Sequence, residues 1–336
     1  MGVVTLATKY RPKTFDEVVA QDSIKTILGN QLKTGTFKNA YLFTGSAGTG
    51  KTTTARIFAN ELNNHMGNPI EIDGASNNGV DNVRTIIEDA KRKSLDSEYK
   101  VYIIDECHMI STAGWNAMLK LIEEPPKGTV FIFCTTDPQK IPNTILSRVQ
   151  RYDFTKIPTF EIADRLKYIL QCEKIDIVTD EIVDYIARLA NGGMRNAITM
   201  LDKVLSSNDY SMANTIKLLG KVEYDVMFNL IDKLDYKNLE FVEIIETLEQ
   251  DGKDLKQFIS QFSNLVIDII KYRISKTLQF TNLPDLPHYR DTMEDLSSGF
   301  LSSLLRCVLD INRELKYSDN PKYIIEGELI SWVLEN

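Results

Sequence analysis

The octapeptide Gly45-Ser46-Ala47-Gly48-Thr49-Gly50-Lys51-Thr52 matches G-x-x-x-x-G-K-[ST] at every fixed position, and it constrains the fold more tightly than anything else in the chain. The pattern works in one setting, where a buried strand runs into a tight loop and the loop opens a helix. Its glycines let the backbone aim several N–H groups at phosphate oxygens, and the positive end of the helix adds to the attraction. About one chain in a hundred of this length would match by accident at average residue usage, so the flanks decide. Ala40-Tyr41-Leu42-Phe43-Thr44 is an apolar, aromatic run suited to a buried strand, and Ala55, Phe58, Ala59 and Leu62 recur at helical spacing after the loop. The setting is complete. ATP is the expected ligand, with Lys51 reaching the β- and γ-phosphates, Thr52 holding Mg²⁺, and Thr53 beside them in the first helical turn.

A chain of 336 residues with 43% hydrophobic content has room for two or three globular domains. Met1 to Leu6 offers neither a basic start nor an apolar stretch long enough for secretion, and no later run approaches the ~20 apolar residues of a membrane span. The expectation is a cytoplasmic protein with no membrane partner. Cys107, Cys134, Cys172 and Cys307 are widely separated, with no C-x-x-C pair to suggest a metal knuckle or redox switch. A net charge of −8 argues against indiscriminate coating of nucleic acid but leaves room for a local basic surface.

Up to about residue 155, short apolar runs alternate with helical patterns, as in a parallel sheet covered on both faces. The expected strands are Tyr41 to Thr44, Ile70 to Asp73, Val101 to Asp105, Val130 to Thr136 and a short one from Tyr152 to Phe154. Trp115, Met118, Leu119 and Ile122 form a helical core stripe that stops at Pro125-Pro126. Beyond Pro158 the pattern is helical throughout. Three short amphipathic faces suggest a small lid: Ile162, Leu166, Ile169 and Leu170; then Ile182, Tyr185, Ile186, Leu189 and Ala190; then Ala197, Met200, Leu201, Val204 and Leu205. After a boundary near Gly220 a longer face runs from Leu255 through Phe258, Ile259, Phe262, Leu265, Val266 and Ile269 to Ile270, and Thr281 to Pro287 reads as a loop. The expected fold class is an α/β P-loop domain (1–157), a helical lid (158–220) and an all-helical third domain (221–336).

Val101-Tyr102-Ile103-Ile104-Asp105-Glu106 is a strand ending in two carboxylates, which a doubly wound sheet places beside the phosphate loop. Asp105 is expected to hold Mg²⁺, and Glu106 to orient or deprotonate the water that attacks the γ-phosphate. Thr135-Thr136, after another apolar strand, offers hydroxyls to the same region. Arg148 and Arg195 carry the planar cation suited to charge on a transferring phosphoryl group. Lys91-Arg92-Lys93 reads as a solvated helix end.

Taken together, Tyr10-Arg11-Pro12-Lys13-Thr14-Phe15-Asp16-Glu17-Val18-Val19-Ala20-Gln21, the phosphate loop, Asp105-Glu106-Cys107-His108, Glu123-Glu124-Pro125-Pro126, Thr135-Thr136-Asp137-Pro138 and Gly193-Met194-Arg195 resemble the AAA+ clamp-loader ATPases. The likeness is dense from residue 5 to about 205 and afterwards one of helical character. It implies an ATPase domain, a lid and a collar that joins other clamp-loader subunits in a pentameric ring, which opens a sliding clamp and places it on primed DNA. Carried over by position, Lys51, Thr52, Asp105 and Glu106 keep the roles above, and Thr136 matches the sensor on the fourth strand. Arg195 matches the lid arginine that touches nucleotide in cis, and Arg148 the finger that reaches a neighbouring subunit's ATP. Leu6 to Gln21, with Arg11, Val18 and Val19, matches the segment around the adenine. Arg84 matches a relay between DNA and the catalytic glutamate; Ser111 and Asn116 are further DNA candidates.

The sequence departs from the family pattern in three places. Many bacterial members carry a four-cysteine zinc module after the phosphate-loop helix; here Asn63-Asn64-His65-Met66-Gly67-Asn68-Pro69 closes that gap, so no zinc is expected. The finger motif Ser-Arg-Cys reads Ser147-Arg148-Val149, and with Asn336 as the last residue the expectation is a form without the long tail by which larger members bind helicase and polymerase. Such trims would suit a minimal or phage-encoded loader. The competing expectations are another AAA+ DNA motor, such as a branch-migration helicase, and a nucleotide-binding scaffold without turnover. The helical last third, with no winged DNA-binding pattern, weighs against the first; Lys51 and Arg148 weigh against the second.

Overall fold

The computed structural model describes residues 4–94, 96–219, 224–278, 281, 283, 287–316 and 318–336. Contacts divide the chain into two compact units, Met1–Lys203 and Val204–Asn336. The expected boundary near Gly220 and most of the expected loop at 281–287 lie outside the described residues.

The first unit is built on strands β1 (Ala40–Thr44), β2 (Ile70–Asp73), β3 (Lys100–Asp105), β4 (Thr129–Thr135) and β5 (Gln150–Asp153), in the spatial order β2-β3-β4-β1-β5. All four pairings are parallel, with Thr44 opposite Thr135, Ile104 opposite Phe133, and Asp73 opposite Asp105. Every strand therefore ends at the same edge. Around them run α1 (Leu6–Lys9), α2 (Asp22–Thr34), α3 (Lys51–Leu62), α4 (Val80–Ala90), α5 (Thr112–Glu123) and α6 (Asn143–Leu146), followed by the lid helices α7 (Thr159–Glu173), α8 (Asp180–Leu189) and α9 (Met194–Ser206).

The alternation of side chains along each strand sorts the core into two layers. Tyr41, Phe43, Ile103, Ile132 and Cys134 face Leu28, Ala55, Phe58 and Ala59 of α2 and α3. Leu42, Ile104, Phe131 and Phe133 face Val83, Trp115, Met118 and Ile122 of α4 and α5. A sheet covered on both faces needs strands that are apolar throughout, and β1 and β4 are buried at every position. Only β2 keeps the expected bounds: β1 and β3 begin one residue earlier, β4 runs from Thr129 to Thr135, leaving Thr136 past its end, and β5 runs from Gln150, which already pairs with Tyr41, to Asp153, leaving Phe154 past its end.

The second unit holds α10 (Met212–Leu219), α11 (Tyr224–Asp235), α12 (Phe241–Gln250), α13 (Leu255–Ser275), α14 (Pro287–Asp295), α15 (Ser298–Glu314) and α16 (Pro321–Glu335). Asp254 caps α13 by accepting from the Lys256 and Gln257 N–H groups, and Ser297 caps α15 through the Phe300 N–H. Leu255, Phe258, Ile259, Phe262, Leu265, Val266 and Ile269 of α13 are buried against α11, α12, α15 and α16 in one apolar core.

Candidate nucleotide site

The loop between β1 and α3 hangs on its neighbours by the backbone. The Gly45 N–H donates to Thr135 O at 3.3 Å, and the Phe154 N–H donates to Thr44 O at 2.7 Å. Gly45 has φ +141°, and a Cβ there would stand 2.3 Å from Phe154 O, so this position admits only glycine. Gly48, at φ +77°, approaches the lid: its carbonyl accepts the Met194 N–H at 3.0 Å, and a Cβ would lie 3.1 Å from Gly193 Cα. The loop thus meets the turn that starts α9 through bare backbone.

Lys51, the first residue of α3, is 6% exposed, and its ammonium donates to the carbonyls of Gly45 (2.7 Å) and Ser46 (2.9 Å). Burial pushes this amine below its usual range, opposed by Cys134, Glu106 and Asp105. A buried cation held by neutral carbonyls is poised for an anion. The N–H groups of Gly50, Lys51, Thr52 and Thr53 have no intrahelical acceptor at the start of a helix and add to that field.

At the end of β3, Asp105 accepts the Thr52 hydroxyl at 2.8 Å and the Glu106 N–H at 3.0 Å. The two side chains expected to share a divalent cation are thus already in contact. Glu106 sits in the left-handed region at φ +45°, and its Oε2 accepts the Thr136 hydroxyl at 3.0 Å. This follows from the strand order: β4 lies between β1 and β3, so residues after β4 meet both the loop and the carboxylates.

A cavity of about 340 Å³ opens over this edge, within the size range of small-molecule sites. Ala47 to Thr53, Arg11, Val18, Val19, Asp105, Glu106 and Arg195 line it. Gly45 and Ser46 serve as the acceptors for Lys51 instead, and Thr136 acts through Glu106. The residues present fit a nucleoside triphosphate with a divalent cation: an uncompensated buried ammonium, helix-start donors and a hydroxyl–carboxylate pair face one cavity.

The other expected residues lie elsewhere. Arg148 joins Ile122, Glu123 and Ser147 around a separate concavity, where its Nε donates to Glu123 Oε1 at 2.5 Å and its Nη1 to Thr144 O at 2.7 Å. Arg84 is exposed and pairs with Asp81 at 3.1 Å. Ser111 caps α5 by accepting the Gly114 N–H, and Asn116 is exposed on that helix.

Several site residues were not singled out in the sequence, although Tyr10 falls within the Leu6 to Gln21 segment expected around the adenine and Met194 within the Gly193-Met194-Arg195 motif. Tyr10 and Arg165 line the cavity, and Arg165 Nη2 donates to Tyr10 O at 3.2 Å. The Tyr10 hydroxyl bonds Glu173, which also accepts Lys9 at 2.6 Å, so the segment before the cavity is tied to lid helix α7. Burial and then Glu173 push the Tyr10 phenol well above its usual range. Ala7, Pro12, Arg56, Ile157, Met194, Asn196 and Ile198 complete the wall. His108, quoted above only as part of a motif, touches Glu106 and Thr135. Cys107 and Cys134 are buried, and burial raises both thiols well above their usual range. Among the described residues, no group of three or more His, Cys, Asp or Glu is placed to hold a metal ion.

The parallel sheet, the phosphate loop on its carboxyl edge and the helical lid define the AAA+ class of P-loop folds. Solved structures agree on the fold: the RuvB Holliday junction branch migration motor of Thermotoga maritima superposes with TM-score 0.53 at 19% identity, covering 73% of this chain and 86% of that one. The curated relatives that this chain resembles are gamma/tau subunits of bacterial DNA polymerase III. It is 34% identical to the DNA polymerase III subunit tau of Bacillus subtilis, over 98% of this chain and 63% of that protein. It is 33% identical to the subunit gamma/tau of Mycoplasma genitalium (80% of this chain, 49% of that protein) and 34% identical to the subunit tau of Escherichia coli (72% and 41%). Residues 69–158 match the family model described as DNA polymerase III, delta subunit. The chain spans less than two thirds of the length of these relatives.

Proposed function

We propose that this chain is an ATP-hydrolysing motor subunit of a sliding-clamp loader, acting in a pentameric ring with other loader subunits, the clamp and primed DNA in the cytoplasm. The observation that carries the reading is the contact between Thr52 and Asp105 beneath the buried ammonium of Lys51. In this reading Lys51 and the loop N–H groups hold the phosphates, and Thr52 and Asp105 hold Mg²⁺. Arg11, Val18 and Val19 surround the base, Arg195 contacts the phosphates from the lid, and Thr136 and Glu106 orient the attacking water. The bound cation supplies charge neutralisation at the transferring phosphoryl group. The divisions follow: an ATPase domain at 1–157, a lid at 158–220 and a ring-forming collar at 221–336. DNA would meet the ring mainly through its phosphates, with Arg84, Ser111 and Asn116 the candidates on this chain.

Arg148 is the trans finger. Its absence from the cavity lining and its place on a separate exposed concavity support that role, because a residue serving a neighbour's nucleotide must face outward. The test is hydrolysis by the assembled ring, with and without clamp and primed DNA. Stimulation by both is expected, with Arg148→Ala reducing the rate by about 10³-fold. A normal rate in that variant would remove the finger assignment. Junction movement without a clamp would favour a branch-migration motor, and binding without turnover would favour a scaffold.

A further inference from the structure

The Glu106 carboxylate has two neighbours on one oxygen. Thr136 donates to Oε2 at 3.0 Å, and His108 Nδ1 lies 3.3 Å from the same atom. His108 Nδ1 is also 3.1 Å from Thr135 Oγ1, which already accepts the Asp137 N–H at 3.0 Å. The side chain of His108 is 12% exposed against 40% for Glu106, and Thr135 is fully buried. An ionised carboxylate only accepts, so a bare Nδ1 lone pair facing Oε2 would be repelled. The network therefore assigns the hydrogen to Nδ1, donated to the Thr135 hydroxyl oxygen and lying beside Glu106 Oε2. Oε2 then accepts the Thr136 hydroxyl and has Nδ1 of His108 3.3 Å away, whereas Oε1 has no hydrogen-bond partner among the described residues. By contrast, Arg84, which the resemblance nominates as a relay to this glutamate, is held by Asp81.

We propose that His108 is a positioning residue for Glu106: its Nδ1–H, anchored on the buried Thr135 hydroxyl, fixes which carboxylate oxygen is presented to the attacking water. The proposal rests on the ATPase reading above and adds to it. His108 is not among the residues lining the cavity; it restricts the rotation of Glu106, which is one of them. The Thr136 hydrogen bond and the partial charge of Nδ1–H, from different elements, act on the same carboxylate oxygen. Preorganisation of this kind acts on the chemical step and leaves ground-state binding unchanged.

The rate test uses the full chain assembled in the ring with clamp and primed DNA. His108→Ala is expected to lower kcat about tenfold while leaving KM and the affinity for a fluorescent ATP analogue within about twofold. His108→Asn, whose amide nitrogen can occupy the place of Nδ1, is expected to recover most of the rate; His108→Leu, equally bulky without a donor, is expected to behave as alanine. Equal losses in the Asn and Leu variants, or a loss confined to KM, would overturn the proposal. An independent reading comes from the ring itself. The chain has three histidines, so His108→Ala identifies the imidazole ¹⁵N signal by its disappearance. A hydrogen on Nδ1 is expected, and the Nε2–H tautomer would overturn the proposal whatever the rates. Failure of the ATPase reading looks different: wild-type and Lys51→Ala rates then coincide, whereas a wrong His108 assignment leaves a Lys51-dependent rate that His108→Ala does not change.

Discussion

Met1–Lys203 and Val204–Asn336 bury similar polar residues to opposite ends. In the second unit the bonds stay mostly close to home: Ser263 donates to Ile259 O of its own helix while accepting Asn312 of α15, Thr215 donates to Ser211 O one turn away, and Asp268 pairs with Lys271. In the first unit, buried Thr44, Gln21 and Thr135 meet at the carboxyl edge of the sheet, and their partners come from different elements: Asp153, the Thr155 backbone and His108. Locally satisfied polar groups are compatible with packing and demand little else. Convergent ones hold a site together only if the whole sheet delivers them there. The difference separates a region built for chemistry from one built for cohesion.

The largest effect that would sharpen this contrast is on ligand binding. Lys51→Ala is expected to weaken binding of a fluorescent ATP analogue by 100-fold or more, as about 3 kcal/mol of charge-assisted contact is lost. Its unfolding, followed through Trp332 in a Trp115→Phe background, should be unchanged; each unit carries one buried tryptophan. Phe262→Ala should do the reverse, costing about 3–5 kcal/mol in urea unfolding by the Trp332 signal with nucleotide affinity kept. Weakened binding in that variant would break the contrast. Gly45→Ala is expected to cost about 1–3 kcal/mol in the first unit, read through Trp115 in a Trp332→Phe background, because φ +141° and the Phe154 carbonyl both oppose a Cβ.

The smallest effect concerns pH and has opposite signs in the two units. Lys100 and Tyr102 hold Asp89 below its ordinary 3.8, and Lys9 and Tyr10 hold Glu173 below its ordinary 4.5. Their stabilisation is complete above those ordinary values and is lost as pH falls through the depressed ones. In the second unit burial raises Asp232, Glu326 and Glu328, although exposed Glu240 beside Lys233 is lowered. Raised carboxyls bind protons more tightly in the folded state, so that unit should gain stability as pH falls from 7 toward 5. Urea midpoints from the two single-tryptophan proteins check both signs, and parallel shifts would contradict the assignment.

The reach of the sequence followed the range of the interactions. Strand β2 and the buried face of α13 came from patterns within a few residues, and the phosphate loop declared its own flanks. Thr136 and Glu106 could be paired because strand order in this class is constrained. The contacts of Glu123 with Arg148, Glu173 with Tyr10, and His108 with Thr135 could not. Each joins residues on separate elements, and no local period encodes which side chains will face each other. Residues 193–195 were legible as a motif, but their seat against the loop was not.

That seat gives the phosphate-binding motif a longer reach in heredity than its eight letters. A Cβ on Gly48 would press on Gly193, and one on Gly193 would stand 3.0 Å from Ala47 O. Neither position is free to drift alone. A homologue that gains a side chain at one of them must shift the backbone beside the other, so the two positions are expected to change together, although one lies in the nucleotide loop and the other in the lid.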